Sequence, residues 1–307
     1  MPLPTEPSPS PPQQTATTPP KMAPQTKTRI IPITSTAHVP ALAHLKRLAF
    51  DPLPMSDAMY PRDPALVEQW FVARETAALR DERQRFWAVV RDVDVDGMEE
   101  GEGDGVGRDW IEVEDEEGDG NGKKKFVVVL AWAKWTNLIP GVGKGVQVNG
   151  TVNGKSVEAQ GNDDAAAAKE KENAKAESDS LWMNPDAMPK GANVKLIRAF
   201  KTKLQEMKKV WIDEEKDCVL DLLCTNPRYE RQGHGRALLR HGMDIADANG
   251  VRVYLEATGV GLPLYERLGW KTLGKMEWVL SEFGAEGEGD GDGKFVLTGM
   301  IREPGTL

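Results

Sequence analysis

Gly233 and Gly235 flank a single histidine where an apolar run gives way to a helical pattern, and that arrangement suits an anion. The run is Cys218 to Thr225, rich in Val and Leu, and it reads as a buried strand. Asn226-Pro227 stops it. Arg231-Gln232-Gly233-His234-Gly235-Arg236-Ala237 then turns into a helix patterned on Ala237, Leu238, His241, Ile245 and Ala248. The first amides of a helix have no partner inside it and point outward. The helix dipole adds partial positive charge there. Glycine removes the Cβ that would hold a phosphate away. Strand, turn and helix together make a phosphate cradle. Arg231 and Arg236 add charge suited to phosphates. Taken alone, the same turn also fits a plain strand-to-helix connection, and the arginines fit an ordinary surface.

Asn249-Gly250 ends the helix with a left-handed cap. Val251 to Leu255 is the next strand, with Glu256 at its end. Pro263 to Leu268 is a short helix carrying Tyr265, stopped by Gly269. Asp221 lies on the first strand, and alternation puts it on the face of Val219 and Leu223.

The stretch Lys216 to Trp270 resembles the GNAT superfamily of acyl-CoA-dependent N-acetyltransferases. The resemblance rests on Gly233-His234-Gly235 with Arg236-Ala237-Leu238-Leu239, followed by Leu264-Tyr265-Glu266-Arg267-Leu268-Gly269-Trp270. The position three before Gly233, usually Gln or Arg in that family, is Glu230 here. Ala131-Trp132-Ala133-Lys134-Trp135 is similar to the third strand of fungal-type members. The resemblance implies an α/β fold of the α+β type: a central mixed, mostly antiparallel twisted sheet flanked by helices, here with low-complexity insertions. It implies acetyl-CoA as co-substrate and no metal. Its pyrophosphate would sit on Arg231, Gln232, Gly233, His234, Gly235, Arg236 and Ala237. Leu223, Cys224 and Thr225 would pair with the pantetheine as an added strand, and one of their amides would polarise the thioester carbonyl. Tyr265 matches the general acid that protonates the leaving thiolate. An amine acceptor has a pKa near ~10, so a carboxylate base is expected. Asp221 and Glu256 both qualify, with Glu75 and Glu82 weaker. The acceptor is read only as a primary amine of a small molecule, peptide or protein. A non-catalytic CoA-binding or scaffolding protein on the same fold is the alternative, and Tyr265 favours catalysis over it.

The elements that must carry these residues are legible upstream. Arg29 to Thr34 is a strand, and Pro32 places it at a sheet edge. Ala37 to Phe50 is a helix with Ser35 or Thr36 as cap. Asp63-Pro64 opens a second helix running to about Arg83. Phe86 to Val90 and Phe126 to Trp135 are strands. Lys190 to Val210 is an amphipathic helix, which in the family often walls the acceptor pocket. Lys275 to Leu280 and Lys294 to Arg302 form a closing antiparallel pair.

Two tracts interrupt this order. Residues 92–122 are dense in Asp, Glu and Gly and read as a flexible acidic insertion. Asp92, Asp94 and Asp96 mimic a calcium loop, but its twelfth position is Gly103 instead of Glu. Residues 137–180 are a second flexible insertion, where Gly143-Lys144 lacks the Ser or Thr of a phosphate loop. Residues 1–26 are Pro-, Ser- and Thr-rich, too poor in apolar surface to fold. One domain, 27–307, remains. The formal charge of −9 argues against a nucleic-acid partner. The longest apolar run is far short of the roughly 20 residues of a membrane helix, so the expectation is a soluble, cytoplasmic protein with no membrane partner. Cys218 and Cys224 read as buried residues on one strand face, too far apart to pair.

Overall fold

The computed structural model describes residues 27–93, 109–114, 124–139, 180–285 and 293–306, with residues 173 and 176 besides. The proline-rich start and most of the tracts at 92–122 and 137–180 lie outside them, as does the calcium-loop mimic beyond Val93. In chain order the elements are β1 (Thr28–Ile33), α1 (Val39–Phe50), α2 (Pro54–Met59), α3 (Pro64–Arg80), β2 (Gln84–Asp92), β3 (Trp110–Glu114) and β4 (Lys124–Thr136). Then come α4 (Val194–Trp211), β5 (Cys218–Thr225), α5 (His234–Ala248), β6 (Val253–Thr258), α6 (Leu262–Arg267), β7 (Lys271–Val279) and β8 (Lys294–Arg302).

The strands form one sheet in the order β1-β2-β4-β5-β6-β8-β7, with β3 paired to β4. Every pairing is antiparallel except β5 with β6. This is the expected class: a mixed, mostly antiparallel sheet flanked by helices. β1 lies at the edge, where the missing N–H of Pro32 costs nothing. Side chains of α5 (Leu238, Leu239, Met243) fill the core on one face. α1, α3 and α4 cover the other, with Leu42, Leu45 and Leu79 over the middle strands and Leu196 and Ile197 against Trp278 and Phe295. Asp63 caps α3 as expected, accepting from Ala65 N at 2.9 Å. Ser35 accepts from Ala37 N at 3.2 Å but caps a 3-10 turn, Thr36–His38, and α1 itself begins after it at Val39 with no side-chain cap.

Two bulges decide which residues share a face. Val89 and Val90 of β2 pair with Ala131 and Val129, leaving Leu130 extra on β4. Lys134 and Trp135 of β4 pair with Leu222 and Leu220, leaving Asp221 extra on β5. An extra residue shifts the alternation by one. Cys218 and Leu220 therefore face α5, whereas Leu222 and Cys224 face α1. This corrects two expectations. The cysteines occupy opposite faces of the sheet, both buried with free thiols. Asp221 parts from Leu223, which packs on the α5 side. Helix α2 was not foreseen, although Pro54 in its first turn is a usual start. β3 is a strand within the tract read as a flexible insertion. Its Ile111 is buried under α1, but the surrounding acidic residues masked the alternation.

Candidate active site

β5 and β6 pair over three residues only, Cys218↔Val253, Val219↔Tyr254 and Leu220↔Leu255. Beyond them each strand stays paired on its outer side, β5 to β4 and β6 to β8. The two inner edges diverge where the Asp221 bulge bends β5. The opening leaves the backbone of Leu222 to Thr225 facing a gap, which is what an extended ligand needs to add as a strand.

At the end of that edge, Asn226 ties down the turn. It is fully buried, its amide donates to Leu130 O at 2.8 Å, and its side chain donates to Asp109 Oδ2 at 2.9 Å. Arg231 and Gly233 take left-handed conformations, φ 61° and 88°. They swing the chain so that α5 starts at His234 with its open end at the gap. The Ala237 amide donates to Gly233 O at 2.9 Å and so begins the helix ladder. The amides of His234, Gly235 and Arg236 precede it and point outward. A Cβ on Gly235 would lie 3.1 Å from Thr225 Oγ1, so glycine keeps this floor clear. The residues present thus fit a pyrophosphate. Arg231 and Arg236 are exposed beside it. The His234 ring is held neutral by burial and by Arg91.

One cavity of about 240 Å³ lies in the gap and is lined by Leu223, Asp221, Glu256 and Tyr265 together. Glu256 points to the α4 face, and burial raises its carboxyl above the usual range despite the Lys208 ammonium 3.8 Å away. Asp221 accepts from the Thr136 hydroxyl and from Lys208 at 3.3 Å. Lys208 stays charged, because Glu256 and Asp221 outweigh its own burial. The Tyr265 ring packs edge-on against Trp270 at 5.8 Å, and burial lifts its hydroxyl to about 12. It is a proton donor at neutral pH. Cys224 and Thr225 belong to the open edge of β5 but not to the cavity wall. A strand opening, a buried carboxylate and a phenol meet in this cavity, and the cradle follows at the end of the same strand, β5.

Residues 206–270 match the Acetyltransferase (GNAT) family. That segment holds the end of α4, β5, the cradle, α5, β6 and α6. No curated protein matches the chain. Among solved structures, the chain is similar to arylalkylamine N-acetyltransferase 2 from Aedes aegypti, at 14% identity and a TM-score of 0.45, over 90% of this chain and 98% of that one. It is also similar to a histone acetyltransferase and related acetyltransferase from Corynebacterium glutamicum, at 16% identity and a TM-score of 0.44, over 91% and 98%. A third is a PaiA N-acetyltransferase from Thermoplasma acidophilum in complex with coenzyme A, at 10% identity and a TM-score of 0.37, over 90% and 99%.

Much of the remaining cavity wall comes from outside the GNAT-matching segment. Lys46 of α1, Arg74 of α3 and Lys134 of β4 line it. Glu75, fully buried, bonds Lys46 at 2.5 Å and Lys134 at 2.9 Å. Burial opposes its charge, but Lys134, Lys46 and Arg74 outweigh burial and hold its carboxyl far below the usual range. Neither Glu75 nor Glu82 lines the cavity. Burial presses the Lys46 ammonium down to about 7 against the pull of Glu75. The sequence did carry a signal for Lys134, a lone charge inside the apolar run of β4. Lys208 had no such mark among the lysines of α4.

Proposed function

We propose that the chain transfers an acetyl group from acetyl-CoA to a primary amine by direct attack of the amine on the thioester. The observation that carries this reading is the single cavity that joins Glu256, Tyr265 and the open edge of β5 in front of the α5 cradle. In this reading the GNAT assignment extends from the matched segment to the whole domain. The amides of His234, Gly235 and Arg236 hold the pyrophosphate. The edge from Leu223 to Thr225 aligns the pantetheine, and one of its amides draws on the thioester carbonyl. Glu256 takes a proton from the bound ammonium, directly or through one water, and the neutral amine then attacks. The raised pKa of Glu256 brings it closer to the operating pH, as a general base requires. Asp221 is the weaker base, already engaged by Thr136 and Lys208, and it acts by positioning Lys208. The new N–C bond forms as the C–S bond breaks, the sulfur leaves with the proton of the Tyr265 hydroxyl, and the second proton that the nitrogen sheds returns to Tyr265 through solvent, giving the neutral amide and the free thiol. An acetyl-CoA-dependent reaction is expected inside the cell.

The test is thiol release from acetyl-CoA with a panel of primary amines, run on the wild type and on Glu256→Gln. Amine-dependent release that falls at least a hundredfold in the variant supports the proposal. Tight acetyl-CoA binding with no release for any amine would instead establish the non-catalytic CoA-binding alternative.

A further inference from the structure

The cavity wall gathers basic side chains from α1, α3 and β4 and two carboxylates from β5 and β6, and acetyl-CoA accounts for neither group. At one end stand Lys46, Arg74 and Lys134, with Glu75 as the carboxylate that bonds two of them. An excess of positive charge remains there even where Lys46 gives up its proton. Arg74 is 7% exposed, and its Nε is buried with no hydrogen-bond partner. Its guanidinium lies over Trp182 at 3.7 Å and over Trp70 at 4.7 Å. Those rings hold the plane of the group, and they leave its Nε–H donor unanswered among the described residues. A buried donor without an acceptor is costly, and the edge of a guanidinium that carries Nε matches a carboxylate with two parallel hydrogen bonds. At the other end stand the carboxylates of Asp221 and Glu256, with Lys208 between them and Lys201 also acting on Glu256. Glu256 Oε1 is buried there without a hydrogen-bond partner among the described residues, an acceptor that suits an amine. Tyr60, Phe71 and Phe200 line the wall and give an apolar body its place. Lys134 of β4, beside Arg74 in the wall, and Glu256 of β6 lie on strands two spacings apart, about 10 Å, so a ligand that reaches from the basic side chains to Glu256 carries its two charges several bonds apart.

We propose that the acceptor is a small amine that also bears a carboxylate, seated with the carboxylate on Arg74 and the amine beside Glu256. This rests on the acetyltransferase reading and adds the acceptor class to it. The cavity's size, about 240 Å³, favours a small molecule over a folded protein surface.

Matched pairs test it: 6-aminohexanoate against hexylamine, and 4-(aminomethyl)benzoate against benzylamine. Two quantities are read for each, kcat/KM by thiol release from acetyl-CoA and Kd by calorimetry in the presence of CoA. The expected result is a preference of at least tenfold for the carboxylate member in both quantities. Arg74→Gln should shrink that preference to below about threefold, and Arg74→Lys should retain part of it, because charge survives where the fork is lost. Equal kcat/KM and Kd within each pair would overturn the carboxylate seat while leaving acetyl transfer intact. If no amine releases thiol, the transferase reading falls and Kd alone decides: an Arg74-dependent preference upholds the seat, and its absence overturns it. The wild-type comparison needs no variant, so a misfolded Arg74→Gln protein does not obscure the answer.

Discussion

At the scale of the residue, burial sets the protonation states on which the proposed chemistry depends. Tyr265 is 9% exposed and its hydroxyl is lifted to about 12, so it holds its proton at neutral pH and can give it to a thiolate. Tyr265→Phe keeps the ring on Trp270 and removes the donor alone. Stopped-flow turnover is expected to fall by roughly 10²–10⁴-fold with acetyl-CoA affinity unchanged. Full turnover in the Phe variant, with chemistry rate-limiting, would make Tyr265 a packing residue. Glu256 and Lys208 give a second expectation. The ammonium pulls the carboxyl down while burial and Asp221 push it up. Lys208→Met removes the pull, so Glu256 ionises at higher pH. The acid limb of the kcat/KM profile should then move to higher pH. Asp221→Asn removes a push and should move the same limb to lower pH. Shifts of the same sign in both variants would rule out Glu256 as the group being titrated.

Elements decide where those residues meet. β5 carries one extra residue, Asp221, and the strand both changes face and leaves β6 at that point. The cradle depends on α5 starting where β5 ends, and Gly235 sits at the contact, 3.1 Å from Thr225 if given a Cβ. Gly235→Glu would place bulk and negative charge where a phosphate is expected. Calorimetry should show acetyl-CoA binding abolished, with the far-UV spectrum of the wild type retained. Undiminished affinity in this variant would remove the cradle from the proposal.

In the whole molecule, the layers are fitted closely enough that one methyl group is felt. Gly242 of α5 lies on Trp135 of β4, and a Cβ there would come within 2.1 Å of the indole Cζ2. Trp135 is fully enclosed and has no room to turn. Gly242→Ala should therefore destabilise the protein by about 1–2 kcal/mol, the cost of overpacking less the gain in helix propensity. The urea midpoint measures it, and an unchanged midpoint would show that α5 rides over the sheet with slack. The same close fit brings α1, α3 and β4 to the cavity, so the acceptor end of the site is a product of the assembled domain.

The segment from β5 to α6 was legible in the sequence because its signals are local. A strand stop, a Gly-x-Gly turn, a helix cap and a tyrosine on a short helix each depend on neighbours within a few residues, and that is the region the family match covers. Upstream, α3 was legible for the same reason, because Asp63-Pro64 marks its start, whereas Pro54 alone did not betray α2. What only the tertiary structure decided is which residues share a face and which distant charges meet. A bulge leaves no local mark, so alternation put Asp221 with Leu223 when the structure separates them. Lys46, Arg74, Glu75 and Lys134 come from two helices and a strand, and nothing in their spacing tells that they converge. The choice between Glu256 and Asp221 was likewise open in sequence, because burial and the approach of Lys208 are set by how α4 packs across the sheet.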